Sequence, residues 1–192
     1  MKKKYWILGA FILLAVVQIA VSAARIVKWE DVLRTGTLLR FRTEPVDPSD
    51  AFRGRYVALE FEQSTVPLEL GPDLKRGEEV YARLGEDEEG FARIGKLVKE
   101  RPTEGNYLKV DVLYGSTRDN KIHLQFPFHR FYLEEEIAPA AEKAYRARSS
   151  RDKRDAYVTV RIKNGYGVLE ELFVGGKPIM EFLRDEKGAG DG

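Results

Sequence analysis

Polar and apolar residues divide the chain into one unbroken hydrophobic run and a long stretch of alternation. Residues 5–24 are apolar except for Gln18 and Ser22, and Lys2, Lys3 and Lys4 precede them. About twenty residues at ~1.5 Å rise reach ~30 Å, the thickness of a bilayer's hydrocarbon core. The run therefore predicts a single transmembrane helix, with Tyr5 and Trp6 at one headgroup layer. The lysines predict a cytoplasmic N-terminus and an extracytoplasmic remainder. Val21-Ser22-Ala23-Ala24 also has the small residues of a signal-peptidase site, so secretion after cleavage is the alternative. The length of the run, beyond the ~7–15 residues of a signal-peptide core, favours retention.

Beyond a mixed juxtamembrane linker at 25–36, the pattern becomes period two. Residues 37–43, 56–61, 79–84, 91–99, 107–114, 122–126, 156–163 and 168–174 read as strands. In the clearest, Leu108, Val110, Val112 and Tyr114 alternate against Tyr107, Lys109, Asp111 and Leu113. Residues 85–90 and Asn164-Gly165 supply hairpin turns, the latter because both residues accept positive φ. Pro139 suits a first helical position, with Glu134, Glu135 and Glu136 before it and Arg146 and Arg148 near the helix end. The expected fold is all-β, a sandwich or partly open barrel of about seven or eight strands, with one short helix. It occupies residues 37–184, followed by a flexible tail at 185–192.

Composition narrows the chemistry. The chain carries 32 basic and 31 acidic residues, which leaves no electrostatic footprint for nucleic acid. It has no cysteine, so disulfides, a thiol nucleophile and a zinc–thiolate site are all excluded. The fold must rest on its hydrophobic core.

The stretch Arg53-Gly54-Arg55-Tyr56-Val57-Ala58-Leu59-Glu60-Phe61 resembles the GDYxxLxY family of membrane-anchored bacterial proteins of unknown function. Gly54, Tyr56 and Leu59 match the motif, Phe61 replaces its last aromatic residue, and Arg55 stands where the family name has aspartate. The lead-in Pro45-Val46-Asp47-Pro48 and Phe52-Arg53 resembles the family as well. A second segment, Arg130-Phe131-Tyr132-Leu133-Glu134-Glu135, resembles another aromatic-rich part of it. The resemblance implies a membrane-tethered, extracytoplasmic protein and a multi-pass membrane partner. It implies no reaction. If the family's aspartate were a base or ligand, Arg55 would have removed it.

Read as residues, the motif is chiefly structural. Gly54 permits a close backbone approach, while Leu59 and Phe61 share the expected core face with Val57. Tyr56 lies on the other face, placed to anchor the preceding loop or to meet a ligand. Candidate binding residues are accordingly Arg53, Gly54, Arg55, Tyr56, Leu59 and Phe61, with Arg130, Phe131, Tyr132 and Glu135 as a secondary segment.

No catalytic constellation emerges. His123 and His129 are the only histidines, separated by the register break at Pro127. The acidic run 86–89 and the group Asp47, Ser49 and Asp50 lack the spacing of a calcium loop and suit turns. Ser64, Ser116, Ser149 and Ser150 sit in no nucleophile motif, and no glycine-rich phosphate loop opens a helix. The basic run from Arg146 to Arg154 reads as a helix end and its exit loop, with lipid headgroups as the sharper alternative. No cofactor or metal is expected. The expectation is a membrane-anchored binding or assembly module acting with an envelope or multi-pass membrane protein. The alternatives are a small-ligand or glycan-binding barrel, with Tyr56, Tyr107 and Tyr132 at its mouth, and an anchored hydrolase.

Overall fold

The computed structural model describes residues 2–44, 56–71, 74–149 and 155–190. Helix α1 (Lys2–Thr35) carries the hydrophobic run and continues without a break through the expected linker. Most of its apolar side chains are exposed, Val32 being a buried exception, and its stretch Lys4–Thr35 is long and apolar enough to cross a membrane. Gly36 then turns the chain directly into the first strand. A Cβ there would lie 2.4 Å from the Val32 carbonyl oxygen and 3.1 Å from that of Ile162, so only glycine fits unshifted.

The strands follow in the order β1 (Thr37–Glu44), β2 (Tyr56–Ala58), β3 (Glu60–Phe61), β4 (Thr65–Pro67), β5 (Glu79–Glu86), β6 (Ala92–Val98), β7 (Tyr107–Ser116), β8 (Lys121–Gln125), β9 (Arg130–Tyr132), β10 (Ala156–Lys163), β11 (Tyr166–Val174) and β12 (Lys177–Pro178). Those of five residues or more coincide with expected strands, and the remainder are short pieces of two or three residues. Helix α2 (Ala138–Arg148) holds Pro139 in its first turn, and α3 (Ile179–Gly190) extends into the segment read as a tail.

One sheet has the order β12-β11-β10-β1-β3 and a second the order β4-β8-β7-β5-β6. Pairing along both is antiparallel. Isolated bridges between Arg40 and Phe91 and between Leu108 and Gly165 join the sheets, giving a β-rich, partly closed architecture. Phe41, Val158 and Leu172 from the first sheet share one core with Val80, Leu108 and Leu124 from the second. Asn164 and Gly165 turn the β10–β11 hairpin with φ of 55° and 85°, the positive values that the Asn-Gly pair accommodates.

Alternation in β7 holds through Val112 and then fails. The register against β8 shifts between Val112 and Tyr114, and Tyr114 emerges 49% exposed and stacked on His123 instead of facing the core. A bulge inserts one residue into a period-two pattern, so every side chain beyond it changes face. Tyr107 departs in the other direction. It is buried because Tyr81 and Gly165 cover its ring and Arg101 binds its hydroxyl.

Candidate partner-docking site

The first motif segment forms β2 and β3. Val57, Leu59 and Phe61 point inward, at 0%, 5% and 2% exposure. Phe61 packs edge-on against Phe41 and Phe128 with ring centroids 6.1 and 5.5 Å apart, and against Phe126 at 5.2 Å. The inward half of the motif is thus part of an aromatic core. Arg53, Gly54 and Arg55, with the lead-in that includes Phe52, lie outside the described residues.

Tyr56 and Ala58 take the outward face, and their partner strand is the second family-like segment. β2 pairs antiparallel with β9, setting Tyr56 opposite Tyr132, Val57 opposite Phe131 and Ala58 opposite Arg130. The Leu59 N–H extends the ladder by donating to the His129 carbonyl at 3.0 Å. Phe131 turns into the core with Val57. Across the outer face the Tyr56 and Tyr132 rings meet edge-to-face at 5.7 Å. Ala58 opposite Arg130 offers little bulk, and the guanidinium leans diagonally onto the Tyr56 ring, 4.9 Å from its centroid. Tyr132 remains 67% exposed. Glu135 lies just beyond β9 and is exposed.

Two supports hold this ribbon. Helix α2 packs over β2, and Tyr145, only 1% exposed, donates its hydroxyl to the Glu44 carbonyl at 2.8 Å. Burial pushes the Tyr145 hydroxyl up to about 12. Its bond ties α2 to the last residue of β1, one stem of the motif segment; Tyr56 forms the other stem.

Below the ribbon, α1 and the domain border an open cavity of about 320 Å³ lined by Trp29, Pro127, His129, Arg130, Tyr132 and Leu169 among others. A smaller cleft, about 220 Å³, shares Trp29 with it and is bordered by Lys109, Gln125 and Tyr166. Trp29 is held by an edge-to-face contact with Tyr166 at 5.7 Å, while the Lys28 ammonium sits 3.4 Å from the centre of the same ring. Lys163 bonds both Asp31 and Thr35, so the end of α1 is fastened to the β10–β11 hairpin. Trp29 was not legible as a site residue; its one signal was an aromatic residue beside Arg25 and Lys28, just past the apolar run.

The remaining candidates disperse. Tyr107 is buried in a cluster with Tyr81 and does not join Tyr56 and Tyr132 at a common mouth. His123 bonds Thr65 at 3.1 Å, while His129 borders the larger cavity. Among the described residues no three His, Asp or Glu side chains gather as a metal site. In the acidic hairpin, Arg42 engages both Asp87 and Glu89, and Asp87 also accepts the Phe91 N–H at 2.8 Å. Ser116 bonds Asp119 in the turn after β7, and Ser149 is the buried C-cap of α2. Ser150, Asp47, Ser49 and Asp50 lie outside the described residues. Of the basic run, Arg146 pairs with Glu142 and Arg148 with Asp155.

Fold and site together define a β-rich domain in contact with one long apolar helix through the β10–β11 hairpin, with a paired aromatic ribbon beside that contact. Residues 18–172 match the GDYXXLXY protein family, and the chain belongs to that family. No curated protein and no solved structure matches it.

Proposed function

We propose that this protein is a membrane-anchored, extracytoplasmic binding or assembly module, and that the β2–β9 ribbon with the adjoining Trp29 cavity is its docking surface for a multi-pass membrane protein. The observation that carries the reading is the pairing of the two family-like segments, distant in sequence, into one ribbon. That ribbon's outer face presents Arg130 and Tyr132 beside the helix. Buried motif residues would suffice to build a core. An exposed tyrosine braced by a second tyrosine and an arginine has the composition of an interface centre instead. The position beside α1 favours a partner in the same bilayer, because such a partner would reach the cavity wall without leaving the membrane.

The test is photocrosslinking in native membranes from a photoreactive residue at position 132. A reproducible membrane-protein adduct, lost in Arg130→Glu while that variant melts like the parent, is the expected result. Absence of any reproducible adduct would reject this surface as a docking site.

The cavity also favours a second reading, a small-ligand or glycan site, since Trp29 and Tyr132 both border it and its volume lies at the lower end of ligand pockets, about 300–1,000 Å³. Thermal-shift screening of the full chain against envelope glycans separates the two readings.

A further inference from the structure

The end of α1 places one face of the domain at a defined height. Ala24 is the last residue of the apolar run, and Lys28 and Trp29 lie four and five residues beyond it, ~6 to 8 Å along a helix axis. A headgroup layer occupies about 5–8 Å on each side of the hydrocarbon core. The contacts of α1 with the domain then run in order toward the bilayer. Lys163 meets Thr35 and Asp31, and beyond it in β11 Tyr166 meets Lys28 and Trp29. The β10–β11 hairpin therefore descends along α1, and its turn lies at the height of the headgroups.

Around that turn the chemistry is aromatic and cationic. Gly165 packs against Tyr107 and Tyr81. Arg101 donates to the Tyr107 hydroxyl at 2.8 Å and lies within electrostatic reach of Tyr166, as do Lys28 and Lys109. Lys109 is neutralised by Glu79 at 2.6 Å. Among the described residues Lys28 and Arg101 have aromatic contacts and no carboxylate partner. Trp and Tyr with adjacent cations are the residues that settle at a membrane–water interface.

Resting on the anchored reading above, we infer that Lys28, over the Tyr166 ring, and Arg101, on the Tyr107 hydroxyl, bind the phosphate of an anionic phospholipid in the bilayer that α1 crosses, so that the domain is docked on the headgroup layer. A juxtamembrane cation near an anionic surface contributes ~1 kcal/mol, about a fivefold enrichment of the lipid.

Full-length protein in nanodiscs tests this, with Trp29 as the sole tryptophan after Trp6→Phe. Phosphatidylglycerol carrying a headgroup nitroxide, diluted in phosphatidylcholine, is expected to quench Trp29 as if enriched about 25-fold over its mole fraction, about fivefold for each of the two cations. Arg101→Gln, with an unchanged circular dichroism spectrum, is expected to reduce that enrichment to about fivefold, and Lys28→Gln combined with it to return quenching to the mole fraction. In parallel, Trp6 alone (Trp29→Phe) is read with a deep-chain nitroxide lipid. Deep quenching of Trp6 without enrichment at Trp29 overturns the lipid contact and leaves the anchor standing. No quenching of Trp6 overturns both. Enrichment abolished by millimolar inorganic phosphate assigns the pair to free phosphate and also overturns the inference, as does enrichment unaffected by Arg101→Gln.

Discussion

Tyr56 and Tyr132 occupy directly opposed positions of a two-stranded ribbon, with ring centroids 5.7 Å apart and planes at 61°. Seen singly, each is an ordinary aromatic residue in a short strand. Their opposition creates a braced surface that neither segment forms alone, and Arg130 completes it by resting on Tyr56.

Tyr132→Ala is expected to remove partner recovery by lysine-directed chemical crosslinking, which does not use position 132, while leaving the fold intact. Its side chain is 67% exposed, so truncation opens no core cavity, and the stability change should stay within about 0.5 kcal/mol. Thermal melts beside the crosslinking assay check both halves. A large loss of stability would show that Tyr132 serves the fold.

Phe61→Ala should behave oppositely. Phe61 is 2% exposed and touches three other phenylalanine rings, so truncation is expected to cost ~3–5 kcal/mol. Denaturant titration of the detergent-solubilised chain measures it. Phe61→Tyr adds a hydroxyl inside that cluster and should also destabilise.

Gly36→Ala is expected to loosen the junction between α1 and the domain. The added Cβ would collide with the Val32 and Ile162 backbone, and neither atom belongs to a flexible side chain. Trp29 fluorescence should shift toward that of a solvated indole as its contact with Tyr166 weakens, while the strand signal in circular dichroism persists. An unchanged Trp29 spectrum would mean that Lys163 with Asp31 and Thr35 suffices to hold the helix.

Tyr145→Phe removes the bond to Glu44 and is expected to cost ~1 kcal/mol. Its pH dependence has a definite sign. Because the folded hydroxyl ionises at about 12 against 10.0 for a free tyrosine, the unfolded chain loses its proton first. Stability is thus drained as pH rises from 10.0 toward 12, and the Phe variant should lose less over that window. Urea midpoints across the alkaline range read the difference.

At the acid end, Asp87 is the group to follow. Hydrogen bonding from Arg42, then from the Phe91 N–H, holds its carboxyl below the usual aspartate value of 3.8. A depressed folded value means the contribution is complete above 3.8 and lost as pH falls through the lower folded value. Asp87→Asn should flatten the acid limb of a melting-temperature profile between about pH 2 and 5. An identical acid limb would show that this pair does not govern acid unfolding.

Local pattern was enough for much of this protein. The unbroken run at 5–24, the alternation in 108–112, the Asn164-Gly165 turn and Pro139 at the start of α2 each record a preference of the backbone or of a nearby face, and all were readable in order along the chain. The residues of the motif were legible as core on one side and surface on the other for the same reason, because side chains alternate in a strand. Continuation of α1 through 25–35, the bulge that exposes Tyr114, the burial of Tyr107 and the meeting of Tyr56 with Tyr132 were decided elsewhere. Each depends on which distant segment lies alongside: β10 and β11 for the helix, β8 for the bulge, Tyr81 and Gly165 for Tyr107, and β9 for Tyr56. Periodicity states that a face will be covered, whereas only the packed sheets select the covering residue, and the candidate site is made of such selections.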